Sequence, residues 1–124
     1  MKALFDSNIL IDFLRGVDAA KAEIERFGNR LISRISWMEV LVGVGQHQPE
    51  QARHVTRAFL DGFECVELDE AVAERAVELR QSFKLRLPDA VIWASAQVED
   101  AVLVTRNTRD FPGDAVDVRV PYEG

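Results

Sequence analysis

Four carboxylates in this 124-residue chain stand where an acid could do chemistry. Asp6 follows the apolar run "KALF" and precedes a second one, "ILIDFL". Glu39 lies four residues after "RLISRI". Asp89 stands just inside the apolar stretch "PDAVIWASAQV", and Asp110 closes the polar loop "TRNTRD" behind "AVLVT". Carboxylates gathered at one place repel unless protons or cations compensate. Mg2+ or Mn2+ suits such an all-oxygen pocket, where it acidifies a bound water and polarises a phosphate. Each acid alone also has a structural reading. Ser36-x-x-Glu39 has capping-box spacing, with Ser36 as N-cap. Asp89 beside Pro88 suits a first helical turn. Asp6 would cap the helix that follows it, and Asp110 would serve a turn.

The elements that must position these acids follow from the apolar pattern. Strands are expected at 2–5, 30–35, 63–68, 101–105 and 115–120. Helices are expected at about 8–15, 17–27, 36 onward, 49–61, 69 onward and 88 onward. Val17, Ala20, Ile24 and Phe27 mark one face of an amphipathic helix, and Val72, Ala76, Leu79 and Phe83 mark another. The stretch after Pro88 is apolar on nearly all sides and should be central and buried. Strands separated by helices predict a three-layer α/β/α sandwich around a mainly parallel five-stranded sheet. Such sheets bind ligands beyond the carboxyl ends of their strands. Asp6, Glu39 and Asp110 fall just past strand ends and Asp89 opens a helix, so all four converge on one edge.

Bulk properties bound the function. The length suits one domain, 1–124. Hydrophobic residues make up 48%, charged residues 29%, and the net charge is −6. That charge argues against a protein that coats nucleic acid electrostatically. It leaves open an acidic nuclease whose carboxylates hold cations. No apolar run is long enough to span a membrane, and the first residues do not resemble a signal peptide, which predicts a cytoplasmic protein. Cys65, the single cysteine, excludes an internal disulfide and is expected to pack in a strand. His47 and His54 lack the spacing of a zinc pair. Trp37 and Trp93 are assigned to the core or to a cleft wall. The remaining acids, Glu23 and Asp117 among them, are assigned to solvated surface. Asp12, which interrupts the first helix's apolar run, is assigned to its solvent face, with a supporting role behind the acids as the alternative.

"LFDSNILIDFLRG", "SRISWMEVLVG", "LPDAVIWASA" and "LVTRNTRDF" resemble, in order and spacing, the four signature blocks of PIN-domain ribonucleases. The similarity is greatest to VapC-type toxins of toxin–antitoxin pairs. The resemblance implies a metal-dependent endoribonuclease with Asp6, Glu39, Asp89 and Asp110 as its acidic set and Asn107 near the metal. Ser7 and Thr105 match small hydroxyl positions lining the same cleft. It also implies an RNA substrate, often tRNA or ribosomal RNA, a homodimer and a cognate antitoxin. Arg15, Lys84, Arg86, Arg106 and Arg109 are candidates for RNA-phosphate contacts, Arg106 and Arg109 foremost because they flank Asn107. The helices at 17–27 and 49–61 are candidate partner surfaces. One departure is Lys84, where close relatives carry a glycine that would end the preceding helix. The alternatives are a PIN-fold nuclease of RNA processing or DNA-flap cleavage, and a non-catalytic module of the same fold whose acids are caps.

Overall fold

The computed structural model describes residues 1–45, 49–112 and 115–123. His47 lies outside the described residues. The element order is β1 (Lys2–Phe5), α1 (Ser7–Leu14), α2 (Asp18–Glu25), β2 (Asn29–Ser33), α3 (Arg34–Val44), α4 (Glu50–Asp61), β3 (Glu64–Val66), α5 (Glu70–Ser82), α6 (Leu87–Val98), β4 (Val102–Val104) and β5 (Val118–Arg119). The strands form one sheet in the order β3-β2-β1-β4-β5, and every pairing among the described residues is parallel.

Alternation along β1 sorts the two helical layers, because successive strand side chains point to opposite faces. Leu4 joins Leu31, Val66 and Leu103 under α5 and α6. Ala3 and Phe5 join Ile32 and Val104 under α1, α2, α3 and α4. The result is the expected α/β/α sandwich. Helix α6 has eight consecutive buried residues, Asp89 to Ala96, so its all-round apolar sequence is matched by burial on every side.

One helix start differs from the sequence expectation, and the end of another bears on Lys84. Helix α3 starts at Arg34, capped by Ser33, whose Oγ accepts from the Ile35 N–H at 3.1 Å. Ser36 is therefore not the N-cap; it is fully buried in the first turn. The capping-box reading of Glu39 falls with it, since Glu39 now lies in the second turn. Helix α5, capped by Asp69 through the Val72 N–H at 2.9 Å, ends on Phe83 in extended backbone (φ −129°). No left-handed residue is required there, so a lysine at 84 is no obstacle.

Of the acids assigned to the surface, Glu23 and Asp12 are buried and Asp117 is half-buried. Glu23 is 5% exposed and accepts from Arg119 at 2.5 and 3.1 Å, which ties β5 to α2. Asp12 is 8% exposed, on the inner side of α1. Asp117 accepts from Trp93 Nε1 and Gln97 Nε2, each at 2.9 Å, and so anchors β5 to α6. Trp93 is in the core beside Phe83 and Phe111. Trp37 is half-buried, with the Arg34 and Arg57 guanidinium groups 4.8 and 5.4 Å from its ring centre. No described helix is long and apolar enough to cross a membrane.

Candidate functional site at the carboxyl edge of the sheet

Asp6 is the residue on which β1 ends and α1 begins. It serves as the N-cap of α1, with Oδ1 accepting from the Ser7 N–H at 2.7 Å. Its other oxygen, Oδ2, accepts from the Thr105 hydroxyl at 2.7 Å and from Asn8 Nδ2 at 3.4 Å. Thr105 follows β4, the strand paired with β1, so the pairing of first and fourth strands sets this contact. The Thr105 Oγ1 also accepts from the Asn107 N–H at 2.9 Å and Asn8 Nδ2 at 3.3 Å. One hydroxyl thus uses its donor and both lone pairs.

Glu39 reaches this group from α3. Its Oε1 accepts from Ser7 Oγ at 2.6 Å, joining α1 to the second turn of α3. Asp110 is held by Asn107, whose Nδ2 donates to Asp110 Oδ2 at 2.9 Å. The Asn107 Oδ1 in turn accepts from the backbone N–H groups of Arg109 and Asp110. Asp89 sits in the first turn of α6, 9% exposed. Its Oδ2 is buried and accepts no hydrogen bond; Arg86 Nε, 3.5 Å away, makes an ion pair too long or misdirected to count as one.

The electrostatics match this placement. Burial pushes the Asp6 carboxyl up to about 6, against the hydrogen bonds from Thr105 and Ser7 and with added repulsion from Asp89 and Glu39. Asp89 is also raised, first by burial, with Arg86 opposing and with Asp110 and Glu39 adding to the rise. Repulsion therefore reaches Asp6 from Asp89 and Glu39, and Asp89 from Asp110 and Glu39. Among the described residues no three His, Cys, Asp or Glu side chains stand as a ready ligand set. Asp6 is turned onto Thr105 and Asp110 onto Asn107.

Beside the acids lies an open polar cavity of 410 Å³, lined by Asn8, Arg86, Arg106, Asn107, Thr108, Arg109 and Asp110. Of the five candidate cations, Arg86 and Arg109 border it with exposed side chains. Arg106 borders it too, but its guanidinium is engaged by Asp12, with Nε and Nη2 donating at 2.6 and 3.2 Å. Lys84 is exposed in the link between α5 and α6. Arg15 caps the far end of α1, about 14 Å along its axis from Asp6. It lines a different, more apolar cavity with Ile11, Leu14 and Thr56. The sequence gives no cue to Tyr122, whose hydroxyl donates to Asp12 at 2.9 Å. The break in α1's apolar run was the only signal for Asp12.

The chain is similar to known proteins along nearly its whole length. Residues 3–113 match the PIN domain family. Ribonuclease VapC10 of Mycobacterium tuberculosis is 32% identical over 117 residues, 88% of this chain and 85% of that protein. The tRNA(fMet)-specific endonuclease VapC of Shigella flexneri is 30% identical over 121 residues, 90% of each chain. Among solved structures, a toxin–antitoxin complex from Klebsiella pneumoniae contains a chain 45% identical to this one. It superposes with a TM-score of 0.90 over 98% of this chain and 99% of that one.

Proposed function

The chain belongs to the PIN-domain family, and from that premise we propose that it is a divalent-cation-dependent endoribonuclease acting as the toxin of a toxin–antitoxin pair. The observation that carries the site assignment is the Asp89 carboxylate: a buried oxygen without a hydrogen bond, repelled by Asp110 and Glu39, itself repelling Asp6, and opposed only by a long, exposed arginine contact. The donor set is entirely oxygen, which fits a hard cation such as Mg2+ or Mn2+. Asp6, Asp89 and Asp110 would hold it, with Glu39 and Asn107 binding directly or through water. When bound there, the cation supplies charge neutralisation, an acidified water and polarisation of the scissile phosphate.

The chain's own groups orient the acids. Thr105 fixes the Asp6 oxygen, Ser7 fixes Glu39, and Asn107 fixes Asp110. Arg86 and Arg109, at the polar cavity, are the phosphate contacts this reading favours. Arg106 moves to a supporting role because Asp12 already holds its fork. Lys84 and Arg15 remain at most outer contacts. The Shigella relative's name specifies tRNA, which makes tRNA the first substrate to test.

The toxin reading rests on the VapC relatives and the Klebsiella complex. An antitoxin needs an apolar landing site, and exposed Met38 and Val42 on α3 line a cavity of 470 Å³ with Leu41 and Gly45. Leu14 and Val55 extend the apolar surface onto α1 and α4. That favours α4 over α2 as a partner surface. A homodimer in the cytoplasm completes the reading.

The test is cleavage of tRNA and single-stranded RNA with Mg2+ or Mn2+, and again in EDTA. Cleavage should need the cation, and Asp6→Asn and Asp89→Asn should each lower it by roughly 100-fold or more while the far-ultraviolet spectrum is unchanged. Undiminished cleavage in EDTA, or by both variants, sinks the assignment.

A further inference from the structure

We infer that Asp12 is a positioning residue which, through Arg106 and Tyr122, straps the segment after β5 to the loop that carries Asp110 and aims Asp6. The inference rests on the cation-site reading above and adds residues that reading does not use. Asp12 is a buried carboxylate with three donors on it. Arg106 reaches both its oxygens at 2.6 and 3.2 Å, and the Tyr122 hydroxyl donates at 2.9 Å to the oxygen that Arg106 Nε also meets. These partners are 94 and 110 residues from Asp12 in sequence, so the contact joins distant parts of the chain.

What the strap holds follows from the neighbours of Arg106. Its own N–H donates to Asn8 Oδ1 at 3.2 Å. Asn8 Nδ2 faces both Thr105 Oγ1 and Asp6 Oδ2, at 3.3 and 3.4 Å. On one side of Arg106 in the chain stands Thr105, which orients Asp6. On the other stands Asn107, which orients Asp110. Fixing the Arg106 guanidinium at one end and its amide at the other therefore fixes the backbone between two residues that each aim a carboxylate. A second anchor, Arg119 on Glu23, secures the segment that leads to Tyr122. Nothing in this network needs Arg106 to touch substrate.

Outer partners that orient metal-binding groups typically change metal affinity by about 10- to 100-fold when removed. The test uses the full chain with Tyr122→Phe, which deletes one hydroxyl and keeps the ring, and with Asp12→Asn, which keeps the shape. Mn2+ affinity is measured by isothermal titration and folding by melting in EDTA. Cleavage at saturating Mn2+ is then resolved into kcat and KM. Both variants should bind Mn2+ more weakly, Tyr122→Phe by about 3-fold and Asp12→Asn by about 10-fold. The KM for RNA should stay within about 2-fold of wild type. Unchanged Mn2+ affinity in both variants, with or without a lower melting temperature, would overturn the strap, as would a raised KM with intact Mn2+ binding, which would make Arg106 an RNA contact. If the wild-type chain binds no Mn2+, the cation-site reading fails and the strap with it. Equal binding by wild type and variants overturns the strap alone.

Discussion

Asp6 and Asp12 flank and occupy the same eight-residue helix, and both are almost fully buried, at 5% and 8% exposure. Their partners differ in kind. Asp12 meets the fork of Arg106 and a tyrosine hydroxyl; Asp6 meets a threonine, an amide and a backbone N–H, all neutral. Glu23, as deeply buried, follows the first pattern with Arg119. Asp89 follows the second, apart from its long contact with exposed Arg86. Where a buried carboxylate holds elements together, an arginine neutralises it. At the sheet edge the negative charge is left standing, at a cost to folding. A fold keeps such a cost where the charge has another use.

That contrast can be broken most directly through pH. The folded Asp6 carboxyl, near 6, holds its proton more tightly than an unfolded one near 3.8. Between those values the folded state carries the extra proton, so unfolding releases it and stability falls as pH rises. The displacement corresponds to roughly 3 kcal/mol lost by pH 7. Urea titrations in EDTA should therefore show that Asp6→Asn, which cannot ionise, flattens the decline between pH 4 and 7. It should also be more stable than wild type at pH 7, by on the order of 1–3 kcal/mol. An Asp6→Asn protein less stable than wild type at pH 7 would place Asp6 with the structural acids.

Mn2+ sharpens the same division. At about 100 times its dissociation constant, a ligand of the folded state adds about 2.7 kcal/mol. The wild-type melting temperature should rise accordingly, Asp89→Asn should lose most of the rise, and Glu23→Gln should keep it. A Glu23→Gln protein that no longer responds would erase the distinction between the two kinds of acid. A further effect is on Glu23 itself. Breaking a buried pair by removing one partner costs several kcal/mol, but Arg119 is part-exposed and glutamine keeps an acceptor. Glu23→Gln should lower stability by about 1–3 kcal/mol in EDTA, opposite in sign to Asp6→Asn at pH 7.

The sequence displays the sheet-edge acids more openly than the strapped ones. Asp6 directly follows an apolar run, Asp89 opens one and Asp110 closes the short loop behind another, and parallel α/β topology sends those junctions to one edge. Glu39 is legible in position but not in local context. Two serines three residues apart, Ser33 and Ser36, offer competing caps, and only β2's end at Ser33 decides between them. Asp12, Glu23 and Asp117 read as solvated because periodicity reports which face of a helix or strand a residue occupies. It does not report that an arginine or tryptophan 96, 94 or 24 residues away will cover that face. Arg106 shows the same limit: proximity to Asn107 in sequence points to substrate, while its guanidinium meets Asp12 on α1.

The strand order carries a consequence for the timing of synthesis. Asp6 is made among the first residues, but Thr105, which β4 seats against it, comes 99 residues after it. Chains are made at about 5–20 residues per second. For that interval the growing chain has its first acid without the hydroxyl that aims its Oδ2. A truncated product ending before β4 would carry Asp6, Glu39 and Asp89 without the loop that completes the set. A protein proposed to attack the RNA of its own cell would thus stay harmless while being translated, because its outermost-made residues close its innermost strand.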